Sequence, residues 1–146
     1  MQQQAITYRE KTATFEAVFA HLTKCSSNFV PKLDEKVDIS TYSKKIVANS
    51  VTFEAWIEDK LVGLIAAYFN DPINKIGFIT NVSTEKEYSG KGIASQLIKH
   101  CIYYGIQHHF KAICLEVFFQ NNEAIKLYKK WGFYQRSEER RVGKEC

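Results

Sequence analysis

The sequence predicts one domain of the α/β (α+β) class, a sheet flanked by helices. Three observations carry that reading. A chain of 146 residues with 45% apolar and 14% aromatic side chains has the length of one domain and material for one core. Segments rich in β-formers and segments with apolar residues at helical spacing alternate along most of the chain. Two strand-like runs, 51–57 and 61–69, are separated only by Glu58-Asp59-Lys60, which is hairpin chemistry.

In chain order, Ile6-Thr7-Tyr8-Arg9 reads as a short first strand, and Thr12 to Lys24 as an amphipathic helix with Phe15, Val18, Phe19 and Leu22 on one face. Ser26 to Lys36, with Pro31, is a loop; Asp38 then caps a second helix bearing Ile39, Tyr42, Ile46 and Val47. The hairpin follows. Asp71-Pro72 breaks the chain before the strand Ile76 to Val82, and Gly90-Lys91-Gly92 opens a long helix with Ile93, Leu97, Ile98, Cys101 and Ile102 on one face. Ala112 to Phe118 is a strand, Asn122 to Lys130 a helix, and Phe133-Tyr134 the start of one more strand.

Composition excludes several classes. No run approaches a membrane span, and Met1-Gln2-Gln3-Gln4 lacks the layout of a signal peptide, so the expected compartment is the cytoplasm. Net charge is +4 from 20 basic and 16 acidic side chains, with the lysines scattered, which favours no nucleic-acid partner. Of four cysteines, Cys101 and Cys114 sit in apolar periodic segments and read as small buried hydrophobes. His108 and His109 point to different helix faces, so no metal is expected from them with His100 and the cysteines.

Val82 to Ala94 places a strand, a glycine turn and a helix start in succession. The first N–H groups of a helix lack intrahelical partners and lie at its positive end, so Gly90, Lys91, Gly92, Ile93 and Ala94 can aim backbone donors at a pyrophosphate. Taken alone, a Gly-x-Gly there is also the sequence of an ordinary tight turn. Similarly, in isolation Asn121 reads as a helix cap and Tyr128 as a core aromatic.

Together these residues resemble the GNAT superfamily of acetyl-CoA-dependent N-acetyltransferases, whose phosphate loop reads Gln/Arg-x-x-Gly-x-Gly/Ala. Here the register is Ser89-Gly90-Lys91-Gly92-Ile93-Ala94, with Ser89 where a long polar side chain is usual; its hydroxyl can still donate. Asn121 to Phe133 is similar to the family's Asn-x-x-Ala-x-x-x-Tyr-x-x-x-Gly-Phe signature, and the resemblance covers most of residues 51–133. The wording around Phe29-Val30-Pro31 and Tyr88 to Ser95 is similar to members from bacterial surface-polysaccharide clusters. The resemblance implies the GNAT fold, with a mixed, mostly antiparallel sheet, and acetyl-CoA as cosubstrate without a metal. It implies coenzyme contacts from Asn81, Val82 and Ser83, along a strand edge that the pantetheine arm completes, from the loop Ser89 to Ala94, and from Asn121.

The reaction implied is direct attack of a primary amine, of a small metabolite or amino sugar, on the thioester within a ternary complex. Tyr128 is the expected acid for the departing thiolate, and the backbone N–H near Val82 the donor to the oxyanion. Glu54 and Glu116 are candidate bases. Ser26 to Tyr42, with Phe29, Pro31 and Tyr42, is expected to border the acceptor. Alternatives are a non-catalytic acyl-CoA-binding or interaction module and a protein N-terminal acetyltransferase; a homodimer is left open.

Residues 136–146 stand apart. Arg136 to Cys146 has no apolar periodicity and resembles the in-frame translation of a sequencing-adapter oligonucleotide. The catalytic domain is therefore assigned to residues 1–135 and 136–146 to a non-native tail, with the expectation that the sheet lacks its final strand and that the tail is irregular or loosely paired.

Overall fold

A computed structural model describes residues 5–29, 31–118 and 120–134 and the backbone of 142–145. Strand β1 (Thr7–Glu10) leads to helices α1 (Phe15–Cys25), α2 (Leu33–Lys36) and α3 (Ile39–Asn49). The hairpin β2 (Val51–Ile57) and β3 (Lys60–Tyr68) follows, then β4 (Ile76–Thr84), α4 (Ile93–Gln107), β5 (Ala112–Phe118), α5 (Asn122–Lys130) and β6 (Val142–Glu145). The sheet order is β1-β2-β3-β4-β5-β6, with β4 and β5 parallel and every other neighbour antiparallel.

Local chemistry accounts for the element ends. Thr14 caps α1 by accepting from the N–H of Ala17, and Asp38 caps α3 by accepting from that of Thr41 at 3.0 Å. The hairpin closes at Glu58-Asp59, with Ile57 opposite Lys60 and Glu58 at φ 54°. The segment expected to be a loop after α1 contains a 3-10 turn (Ser26–Asn28) and the single turn α2, both too short to show periodicity.

The sheet is covered on both faces, which is why β2 and β3 read as nearly continuous apolar runs. Val18 and Leu22 of α1, Leu33 of α2 and Ile46 of α3 pack with Trp56, Leu61, Leu64 and Ala66. On the opposite face Ile93, Leu97, Ile98 and Cys101 of α4 and Tyr128 of α5 pack with Phe53, Ala55, Ile65 and Ala67. Cys101 and Cys114 are both buried. Gly63 is a close-approach site, because a Cβ there would lie 2.6 Å from Ile93 Cγ2. Among the described residues, no helix is long and apolar enough to cross a membrane.

Two expectations are corrected. Phe133 and Tyr134 form no strand; Phe133 is buried against Tyr128, and its N–H donates to the Tyr128 carbonyl at 3.0 Å. The final strand is not missing either, because Val142–Glu145 of the tail pairs antiparallel with Leu115–Phe118. Lack of apolar periodicity in the tail bears on burial of side chains, not on pairing. A strand added at a sheet edge satisfies backbone groups, and that requires no apolar side chains.

Candidate active site

The two edges of β4 do not end together. On the β3 side its ladder runs from Tyr68 opposite Phe78 to Gly63 opposite Thr84, whereas on the β5 side it stops at Ile79 opposite Leu115. A wedge therefore opens between β4 and β5 beyond Ile79. Thr80 stands at its apex as the extra residue of a bulge, since the register steps from Ala66–Asn81 to Ala67–Ile79; a bulge bends its strand. The Tyr42 hydroxyl of α3 fixes this point, donating to the Thr80 carbonyl at 2.7 Å and lying 2.9 Å from Thr80 Oγ1. Burial pushes the Tyr42 phenol above its ordinary range.

Three cavities follow the wedge. One of about 460 Å³ is bounded by Phe29, Tyr42, Asn81, Glu116, Asn121 and Tyr128. A second, of about 200 Å³, shares Phe29, Val82, Asn121 and Tyr128 with it and adds Cys25 and Ser83. A third, of about 230 Å³, shares Thr84 and Leu127 with the second and reaches Ser89, Gly90, Gly92 and Ala94 at the start of α4. The shared walls make one trough from the wedge to the glycine turn.

At the glycine turn, Gly90 and Gly92 have φ of 78° and 79°, where a side chain is strained, and a Cβ at either would project into open space. Gly92 is the N-cap of α4 and supplies no side-chain cap; the first intrahelical bond runs from Gln96 N to the Gly92 carbonyl. The N–H groups of Ile93, Ala94 and Ser95 therefore have no intrahelical acceptor. The Ser89 hydroxyl, expected to remain available, donates instead to the Lys86 carbonyl at 2.7 Å. Lys91 is exposed, with its ammonium 5.6 Å from the centroid of the Tyr88 ring.

Tyr128 lies on the buried face of α5 and borders both the wedge cavity and its neighbour. Burial pushes its phenol up to about 12, and its hydroxyl makes no hydrogen bond to a described residue. Asn121 caps α5, its Oδ1 accepting from the Ala124 N–H at 3.3 Å, while its side chain borders the same two cavities. The cap and the wall are thus one residue.

Asn81 and Ser83 face α1, where the buried ring of His21 meets them. The Ser83 hydroxyl donates to Asn81 Oδ1 at 2.8 Å and lies 2.8 Å from His21 Nε2, and His21 Nδ1 lies 3.1 Å from the Leu61 carbonyl. Desolvation lowers the His21 pKa to about 4, against smaller raising effects from the Leu61 and Ser83 backbone. His21 was not singled out in the sequence. The available signal was a histidine on the apolar face of α1, in step with Val18, Leu22 and Cys25.

The two base candidates separate. Glu54 is fully buried, away from the wedge; it accepts from the N–H groups of Thr12 and Ala13, the hydroxyls of Thr12 and Thr52, and the Trp56 indole N–H. It is a structural anchor for the segment between β1 and α1. Glu116 is exposed on β5 and borders the wedge cavity. A buried carboxylate that the sequence did not reveal, Glu85, meets Lys60 at 3.1 Å and Lys24 at 3.5 Å beside the turn that leads to Ser89. Among the described residues no three metal-ligating side chains converge.

Of the residues expected at the site, Asn81, Val82, Ser83, Ser89, Gly90, Gly92, Ile93, Ala94, Asn121 and Tyr128 line the trough, and Lys91 does not. The chain is 32% identical over 96 residues to N-acetylaspartate synthetase of Xenopus tropicalis, covering 66% of this chain and 35% of that protein. It is 30% identical over 115 residues to N-alpha-acetyltransferase MAK3 of Arabidopsis thaliana, covering 77% and 60%. The chain thus spans between about a third and three fifths of the length of these relatives. Its fold superposes on PaiA N-acetyltransferase of Thermoplasma acidophilum in complex with coenzyme A, with a TM-score of 0.74 at 14% identity, covering 97% of each chain. Residues 15–133, which hold every wall of the trough, match the family model described as acetyltransferase (GNAT) family, and the chain belongs to that family.

Proposed function

We propose that this acetyltransferase passes the acetyl group of acetyl-CoA directly to a primary amine bound at the wedge, without an acyl-enzyme. The observation that carries the reading is the continuous trough from the glycine turn, along the β4 edge that β5 leaves unpaired, to Tyr128. The N–H groups after Gly92 suit the pyrophosphate, and the free backbone of Asn81 to Ser83 suits the amides of an extended arm. The backbone N–H near Val82 is the donor for the tetrahedral oxyanion. Tyr128, held protonated by burial, donates to the departing sulfur. Because its phenol is less acidic than an ordinary tyrosine, its contribution is a hydrogen bond that strengthens as charge builds on sulfur. Glu116, at the mouth, is placed to take the ammonium proton, directly or through water.

The acceptor wall is mainly apolar and aromatic, with Phe29, Pro31, Leu33, Val37 and Phe78 around Lys36 and Glu116. That lining suits a small metabolite amine with an apolar body better than a polyhydroxylated amino sugar, which would leave hydroxyls unpaired. A second reading, the α-amine of a polypeptide, is favoured by the similarity to proteins named N-alpha-acetyltransferases. Free-thiol release from acetyl-CoA with a panel of amino acids, amino sugars, polyamines and peptides tests both. Turnover with small amines is expected, turnover with peptides alone would install the second reading, and none with any amine would overturn acetyl transfer.

A further inference from the structure

Among the described residues, two charged side chains border the wedge cavity, Lys36 and Glu116. Strand alternation sets Glu116 there. Its neighbours Leu115 and Val117 belong to the core under α4 and α5, so Glu116 points to the opposite face of the sheet, the one that α1 to α3 cover. Lys36 reaches that face from α2. The single turn is held by buried Leu33, by the Asp34 N–H, which donates to Ser26 Oγ at 3.1 Å, and by the Val37 N–H, which donates to the Leu33 carbonyl at 3.0 Å. A cation and an anion thus share one mainly apolar chamber.

Neither charge is neutralised within the described protein. The ion pairs among the described residues join Lys24 and Lys60 to Glu85 and Glu87, and Lys36 and Glu116 are in none of them. Lys36 also borders a neighbouring cavity of about 660 Å³ with Asp34, Glu35 and Asp38, yet pairs with none of the three. Asp38 is engaged instead by the N–H and hydroxyl of Thr41. Both Lys36 and Glu116 are exposed, so water solvates them. A ligand lodged between them displaces that water, and beside apolar walls an unmatched charge is then costly, whereas a matched one attracts more strongly than in bulk water. An amine without an acidic group answers Glu116 alone and brings its own positive charge toward Lys36.

We propose that Lys36 is a specificity-determining residue that selects acceptors carrying a carboxylate, so that the substrate class of this site is an amino acid with an apolar body. The substrate ammonium meets Glu116, which takes its proton, and the substrate carboxylate meets the Lys36 ammonium. Phe29, Leu33, Val37 and Phe78 cover the apolar part between them. The inference rests on the reading of the wedge as the acceptor end of the trough.

Free-thiol release from acetyl-CoA, measured with the full chain on matched acids and amides, tests it. The pairs are leucine against leucinamide and ε-aminocaproate against its amide, the second setting the amine farther from the carboxylate. In at least one pair the acid should be turned over. Lys36→Met, at an exposed position outside every described ion pair, should lower the ratio of kcat/KM for acid over amide about tenfold, through the KM of the acid, as one lost charge-assisted hydrogen bond does. Comparing ratios between variants cancels the different basicities of the two amines. Lys36→Arg should keep most of the ratio, and Lys36→Glu should lower it further. A ratio unchanged in Lys36→Met and Lys36→Glu, or turnover confined to peptides or to amines without a carboxylate, overturns the inference while acetyl transfer stands; no release from wild type with any amine overturns both.

Discussion

Tyr128 and His21 are both buried, and burial moves their protons in opposite senses. The phenol becomes a weaker acid, so Tyr128 stays protonated across the neutral range and keeps a hydrogen to donate. Tyr128→Phe should keep coenzyme affinity, measured by calorimetry, and lower turnover by about a hundredfold, the low end for a positioned acid; unaltered turnover would make Tyr128 a packing residue. For His21 the folded pKa falls from 6.5 to about 4. Between those values the unfolded chain binds the extra proton, so stability holds above pH 6.5 and is lost as pH falls toward 4, by on the order of 3 kcal/mol. Urea unfolding at pH 7 and pH 4.5 should show this acid loss in wild type and a smaller one in His21→Asn; equal losses would mean the ring is solvated in the native state. Tyr128 and Asn121 were legible because their spacing forms a signature with Gly132-Phe133. His21 was not, because one histidine among Val18, Leu22 and Cys25 differs little from a satisfied core residue until its partners, 40 and 62 residues away, are known.

At the scale of elements, the start of α4 depends on a contact that the sequence does not display. Gly63 leaves room for Ile93, the first residue of α4, and Ile93 is buried and β-branched, so it cannot swing aside cheaply. Gly63→Ala should therefore cost about 1–3 kcal/mol of stability through overpacking, and by displacing the helix start it should also weaken coenzyme binding. A variant as stable as wild type, with unchanged affinity, would show that the contact relaxes freely. The helix itself was evident from its apolar face and glycine turn, and Asp38 announced α3. What escaped were features without a period: the single turn α2, the bulge at Thr80, and the return of Phe133 to the core, where Gly-Phe-Tyr had suggested a strand. The tail shows the converse error, since side-chain pattern does not forbid backbone pairing of Val142–Glu145.

Across the whole molecule, the element order could be read from the residues, whereas the mostly antiparallel sheet and the separation of β4 from β5 were implied by the family resemblance alone. Both strands have ordinary strand composition, and where a ladder stops depends on the bulge and on what α3 and α5 place around it. With coenzyme along that edge as proposed, hydrogen exchange at the amides of Val82 to Thr84 should slow on adding coenzyme A, more than at Phe53 or Ile65 in the core; equal protection with and without it would argue against an arm pairing there. The wedge also has a mechanical meaning. The sheet is two panels, β1 to β4 and β5 to β6, stitched directly by four residue pairs from Ile76–Ala112 to Ile79–Leu115. Beyond the last stitch the panels are free to part, so that seam is where the unliganded protein should first tear under heat or proteolysis. A ligand lying across it binds only the closed form and raises stability with its own concentration. The lifetime of the protein would then track the supply of its coenzyme, falling when the pool is spent.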